Sequence, residues 1–99
     1  MKGSYEIVLK SPLGPKKGIL NIVQEEDGLK GSMECLGKKH TFSGTLNDEG
    51  KLEAEGVLQT PLGEEPFTIT GSINGKMLIA AFKRRNESYE MLGLRIEIK

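Results

Sequence analysis

The sequence predicts an all-β domain: eight antiparallel strands in up-and-down (meander) order, closed into a small barrel spanning residues 1–99. Three observations predict it. Turn chemistry interrupts the 99-residue chain at even spacing, apolar and polar residues alternate between the interruptions, and no stretch carries a helical period. Closure is expected because it leaves no sheet edge unpaired.

The interruptions come first. They are Ser11-Pro12-Leu13-Gly14-Pro15, Glu26-Asp27-Gly28, Gly37-Lys38, Asn47-Asp48-Glu49-Gly50, Thr60-Pro61-Leu62-Gly63, Asn74-Gly75 and Arg85-Asn86-Glu87. Gly and Asn tolerate the positive φ of tight turns, and Pro pre-sets the first turn position. Between them lie strands expected at 4–10, 18–24, 29–36, 39–46, 51–59, 66–73, 76–84 and 88–98. His40, Phe42, Gly44 and Leu46 fall on one face of the fourth, with Thr41, Ser43 and Thr45 on the other. A shift of 49 residues aligns Glu6, Val8, Leu9 and Pro12-Leu13-Gly14 with Glu55, Val57, Leu58 and Pro61-Leu62-Gly63, and Gly44 with Gly93. The expected organisation is two four-stranded halves related by an internal repeat. Shared turn chemistry alone is the competing explanation.

Composition removes several classes of function. Fourteen basic residues balance fourteen acidic ones, so no global field draws the chain to nucleic acid or membrane. Cys35 is the one cysteine, which excludes an internal disulfide. No run approaches the roughly 20 apolar residues of a membrane span, and no apolar leader precedes the first strand. A reducing cytoplasm is the expected location. Glu34, Cys35 and His40 fall short of a four-ligand metal set, and Glu34 faces away from Cys35. No metal, cofactor, nucleic-acid partner or membrane partner is expected.

The alternation assigns an inward face to Tyr5, Ile7, Leu9, Leu20, Ile22, Leu29, Met33, Phe42, Leu46, Leu52, Leu58, Phe67, Ile69, Ile73, Leu78, Phe82 and Met91. Small residues share that face at mid-strand: Gly31, Gly44, Gly56, Gly71, Ala80 and Gly93. Two explanations compete. Glycine lets strands bend as a small closed barrel requires. A waist without side chains also leaves room for a ligand, since an eight-stranded barrel is either filled or holds one small molecule.

The outer faces are unequal. Strands three to six turn Lys30, Ser32, Glu34, Thr41, Glu53, Thr68 and similar residues outward, while strands seven, eight, one and two present Met77, Ile79, Leu92, Leu94, Ile96 and Val8. Closure makes those four strands neighbours. A contiguous apolar wall usually marks an interface, and a homodimer is the expected partner state.

The ends differ as well. Alternate turns of a meander lie together, so one end gathers Lys10, Lys16, Lys17, Lys38, Lys39, Lys83, Arg84 and Arg85. The other gathers Glu25, Glu26, Asp27, Asp48 and Glu49. A basic mouth could attract an anionic group.

The chain thus resembles the calycin-like barrels, which include lipocalins and the avidin type. Gly3-Ser4-Tyr5 and Arg95 stand where lipocalins carry Gly-x-Trp and the basic residue that packs over it, with Tyr in place of Trp and no connecting helix. The resemblance implies an Arg95–Tyr5 contact closing the acidic end, and a small, mainly apolar ligand at the open end. The expected ligand residues are His40, Tyr89 and Arg84 around an anionic head. The body would lie among Ile22, Met33, Phe42, Phe67, Phe82 and Met91, against the waist at Gly44 and Gly93.

The first expected function is therefore a binding protein for a small apolar or amphiphilic anion. The second is a structural or interaction module using the outer wall. The third is a lipid-type isomerase or cyclase in which His40 works with Glu64 or Glu65. No catalytic motif is present, so the enzyme reading ranks last and no catalytic residue is assigned.

Overall fold

The computed structural model describes residues 2–26, 28–35 and 38–96. Eight strands occupy nearly all of them: β1 (Lys2–Ser11), β2 (Gly14–Glu25), β3 (Gly28–Cys35), β4 (Lys38–Leu46), β5 (Lys51–Thr60), β6 (Gly63–Asn74), β7 (Met77–Arg84) and β8 (Glu87–Ile96). Each pairs antiparallel with its sequence neighbours, and β1 pairs with β8 from Ser4↔Ile96 to Lys10↔Glu90. The sheet is a closed up-and-down barrel.

Strand ends extend beyond the expected bounds, most of all in β2 and β6. Gly14-Pro15-Lys16-Lys17 reads as turn chemistry, yet Lys16 and Lys17 pair with Leu9 and Val8. The hairpin tightens to Pro12-Leu13 because Gly14 takes φ 108° and lets the ladder start at once. Gly63, at φ 119°, does the same after Pro61-Leu62. Expected strand residues 36, 97 and 98 and turn residues 27 and 37 lie outside the described residues. Strand lengths run 10, 12, 8 and 9 residues over β1–β4, and 10, 12, 8 and 10 over β5–β8.

The core follows the alternation. Every large residue assigned inward is buried or packed against the buried cluster, as are Ala80, Cys35 and Tyr89, and Ala54 is added to them. Ser32, expected at solvent, is buried beside its register partners Asn21 and Thr41. At the waist, Gly31, Phe42, Gly56 and Phe67 are successive register partners across β3, β4, β5 and β6. Each ring lies over a neighbouring glycine. A Cβ on Gly31 would stand 2.6 Å from Phe42 Cζ, and one on Gly56 would stand 2.6 Å from Phe67 Cζ. The missing side chains are thus replaced by aromatic rings from the next strand. A Cβ on Gly44 or Gly71 would collide with the backbone of Glu53 or Ile79. The waist is packed, and the strands approach closely there because glycine permits it.

Candidate functional site

The hollow of the barrel lies above the waist, at the end formed by the turns after β1, β3, β5 and β7. It is an open mouth of about 700 Å³. Its apolar wall comes from Leu9, Met33, Cys35, Leu58 and Phe82, inward residues near the mouth ends of their strands. Its rim carries Lys16, Lys38, His40, Arg84, Glu87 and Tyr89. Period two explains both. The same parity that buries the middle of a strand brings the terminal inward residue to the opening, where a charged side chain can reach water.

The eleven residues expected to bind a ligand divide into two groups, with Ile22 buried in the lower one. Met33, Phe82, His40, Arg84 and Tyr89 line the mouth together. Phe42, Phe67 and Met91 are buried below it, and a side chain on Gly93 would meet Ile7 and Leu78 at 3.0–3.3 Å. Gly44 closes on β5. The lower group builds the floor, because Gly93 packs against Ile7 and Leu78 and Gly44 against the β5 backbone rather than around a void. Phe67, Phe82 and Tyr89 form a staircase from floor to rim. Phe67 and Phe82 stack at 5.2 Å and 25°, and Phe82 and Tyr89 at 6.4 Å and 10°.

The polar groups at the rim are mostly engaged. Glu65 is 4% exposed, and its Oε1 lies 2.9 Å from Arg85 Nε and 3.5 Å from Arg84 Nε. Arg84 Nε is also 3.9 Å from Glu87 Oε2, and the Tyr89 hydroxyl donates to Glu87. Glu65 Oε1 and Arg84 Nε are buried without a hydrogen bond of good geometry, so these contacts are electrostatic. Arg85 takes φ 50°, which turns its side chain back toward Glu65. Glu65 shares parity with Phe67 and Ile69 on β6. That parity marks it as inward in the sequence, although the expected role there was a partner for His40.

His40 pairs in register with Met33 and faces the opening. Its pKa is lowered from 6.5, first by burial and then by the Lys38 charge, so the ring is neutral at pH 7. A carboxylate within reach would raise it instead. Glu65 belongs to the two arginines, and an acid–base pair on His40 is not assembled. The Cys35 thiol donates to the Lys17 carbonyl at 3.6 Å. Among the described residues, Lys16 and Lys38 are therefore the cations lining the opening without a carboxylate at salt-bridge distance.

The opposite end is shut. Gln24 donates across it to the Leu46 carbonyl at 3.1 Å, and the turn after β4 folds inward, with the Gly50 carbonyl accepting from the Ile73 amide at 2.8 Å. Tyr5, Leu52 and Leu78 beneath are fully buried. Tyr5 and Arg95 are register partners at this end, and the Arg95 side chain is exposed.

On the outer wall, Met77, Ile79 and Leu94 are about half exposed, at 52%, 50% and 58%, and Leu92, Ile96 and Val8 are partly buried. Glu6 stands in register between Leu94 and Ile19, a charge inside the wall that the apolar pattern passes over. No helix among the described residues is long and apolar enough to cross a membrane. No protein family, curated protein or solved structure matches the chain.

Proposed function

We propose that this barrel binds a small apolar or amphiphilic anion in its basic mouth. The observation that carries the reading is the contrast between a packed waist and a hollow of about 700 Å³ above it, apolar inside and cationic at the rim. That volume falls in the range of small-molecule sites, roughly 300–1,000 Å³. The ligand body rests on Leu9, Met33, Leu58 and Phe82, stopped from going deeper by the Phe42 and Phe67 rings. The head is met by Lys16 and Lys38, because Arg84 is already paired and His40 is neutral. This reading extends the calycin-like resemblance from strand order to mode of use: a meander barrel closed at one end and loaded from the other.

Titration with 8-anilinonaphthalene-1-sulfonate, an apolar ring system with an anionic head, tests it. Saturable fluorescence that dodecanoate displaces and Leu58→Glu abolishes is the expected result. A probe signal unchanged by Leu58→Glu in a folded variant refutes it.

A second reading is favoured by the outer wall, where Met77 pairs with Leu94, and Ile79 with Leu92, which pairs in turn with Val8. An interaction module would dimerise through it. Leu94→Asp would then convert a dimer to a monomer in sedimentation without loss of the fold, and a wild-type monomer at micromolar concentration removes this reading.

A further inference from the structure

Leu13 and Leu62 are the most exposed large apolar residues described, at 88% and 91%. Each occupies the tip of a two-residue hairpin loop, behind a proline and before a glycine of positive φ. A side chain at such a tip, exposed to this degree, projects from the end of the barrel. The loops join β1 to β2 and β5 to β6, four strands apart in a ring of eight, so they stand on opposite sides of the opening. Pro12 and Pro61 both line the mouth, which fixes the two loops at the same end.

Basic residues outnumber acidic ones at this end, and most of its carboxylates are engaged. Glu65 is committed to Arg84 and Arg85, Glu87 faces Arg84 and the Tyr89 hydroxyl, and Glu90 lies 3.7 Å from Lys10. Lys39 faces Glu34 across the β3–β4 ladder, and Glu64 is exposed beside Leu62's loop. Among the described residues, Lys16, Lys17, Lys38 and Lys83 remain at this end with no carboxylate at salt-bridge distance. Two projecting leucines at the end that carries these lysines match the interfacial region of an anionic bilayer, which takes apolar side chains among its acyl chains and holds cations at its headgroups.

We infer that the mouth end docks reversibly on anionic membranes, with Leu13 and Leu62 inserted and the lysines over the headgroups. The absence of a membrane-spanning segment bears on integral proteins only, and the balanced net charge conceals this end because acidic residues gather at the other. Docking in this pose places the opening against the lipid surface. It does not depend on the mouth holding a ligand, and the two readings fail separately.

Co-sedimentation of the protein, with no added ligand, on phosphatidylcholine vesicles with and without phosphatidylglycerol tests it. Binding is expected on the anionic vesicles only, weakening as salt rises from about 0.1 M to about 1 M, where the screening length falls from ~10 to ~3 Å. Leu62→Ser, a site outside the mouth lining, should lower partitioning about tenfold, and Leu13→Ser with Leu62→Ser together should lower it further. Thermal melts of both variants should match the parent, since both side chains are about nine-tenths exposed. Absence of binding to anionic vesicles overturns the inference, and so does binding indifferent to both leucines. A self-associated protein that the double variant dissociates, with no vesicle binding, assigns the tips to a protein contact and likewise overturns it.

Discussion

The two ends of this barrel are made from the same strands with the same alternation, yet one is a floor and the other an opening. At the acidic end, the Gln24 amide and the inward-folded turn after β4 cover Tyr5, Leu52 and Leu78. At the basic end, the hairpins run straight to their tips, and the last inward positions are Lys16, Lys38, His40 and Arg84 beside Leu9 and Leu58. Long charged side chains cannot pack into one another, so the end they occupy stays open. The difference teaches that in a small barrel the terminal inward residue of each strand, more than the waist, decides where a hollow forms.

Truncation should break the contrast most visibly. Leu52→Ala at the closed end should cost about 2–5 kcal/mol, a fall of at least ~10 °C in melting temperature. Leu9→Ala at the mouth, where burial is partial, should cost about 1 kcal/mol by the same melt. Equal losses at both ends would contradict the distinction. The waist is the next test. Gly56→Val drives a side chain into the Phe67 ring and the Thr41 carbonyl, and should destabilise by about 1–3 kcal/mol or more. A neutral outcome would show that the waist has spare room after all.

Charge at the opening sharpens the comparison at smaller scale. Reversing Lys16 and Lys38 to Glu together should weaken the anilinonaphthalene sulfonate probe about tenfold, while the equivalent change at the closed end, Lys30→Glu, leaves it unchanged. Glu65→Gln removes the counter-ion of two arginines. Probe affinity should rise several-fold as Arg84 becomes available, and stability should fall by about 1 kcal/mol, discounted for the exposure of both guanidinium groups. The smallest effect is that of pH. The unfolded chain protonates His40 near its ordinary value of 6.5, whereas the folded ring resists until lower pH. Stability therefore falls as pH drops below about 6.5 and stops falling once the folded ring is also charged. Probe affinity should rise as the folded ring charges, and His40→Ala should remove both trends.

Much of the fold was legible because period two and turn chemistry are local. Eight runs, seven turns and an inward set that includes Tyr5, Ile69 and Met91 follow from residues a few positions apart. The two Pro-Leu-Gly loops could be located, but not their exposure. Which of the two explanations holds for the waist was not legible, because a glycine's neighbour depends on register: Gly31 faces Phe42, and Gly56 faces Phe67, across strands the sequence does not align. Glu65 was legible as inward by parity. Its capture by Arg84 and Arg85 was not, since that requires the left-handed turn at Arg85 to bring a guanidinium back across the strand end.

By itself, the sequence determined the strand count, the order, the two faces and the sorting of charge to opposite ends. These depend on alternation and on turn residues, which act within one hairpin. The tertiary structure decided that the waist is filled, that the acidic end is shut, and that the mouth's free cations are Lys16 and Lys38 rather than Arg84. Those outcomes depend on which side chains meet across a closed sheet, and only barrel closure and register bring them together.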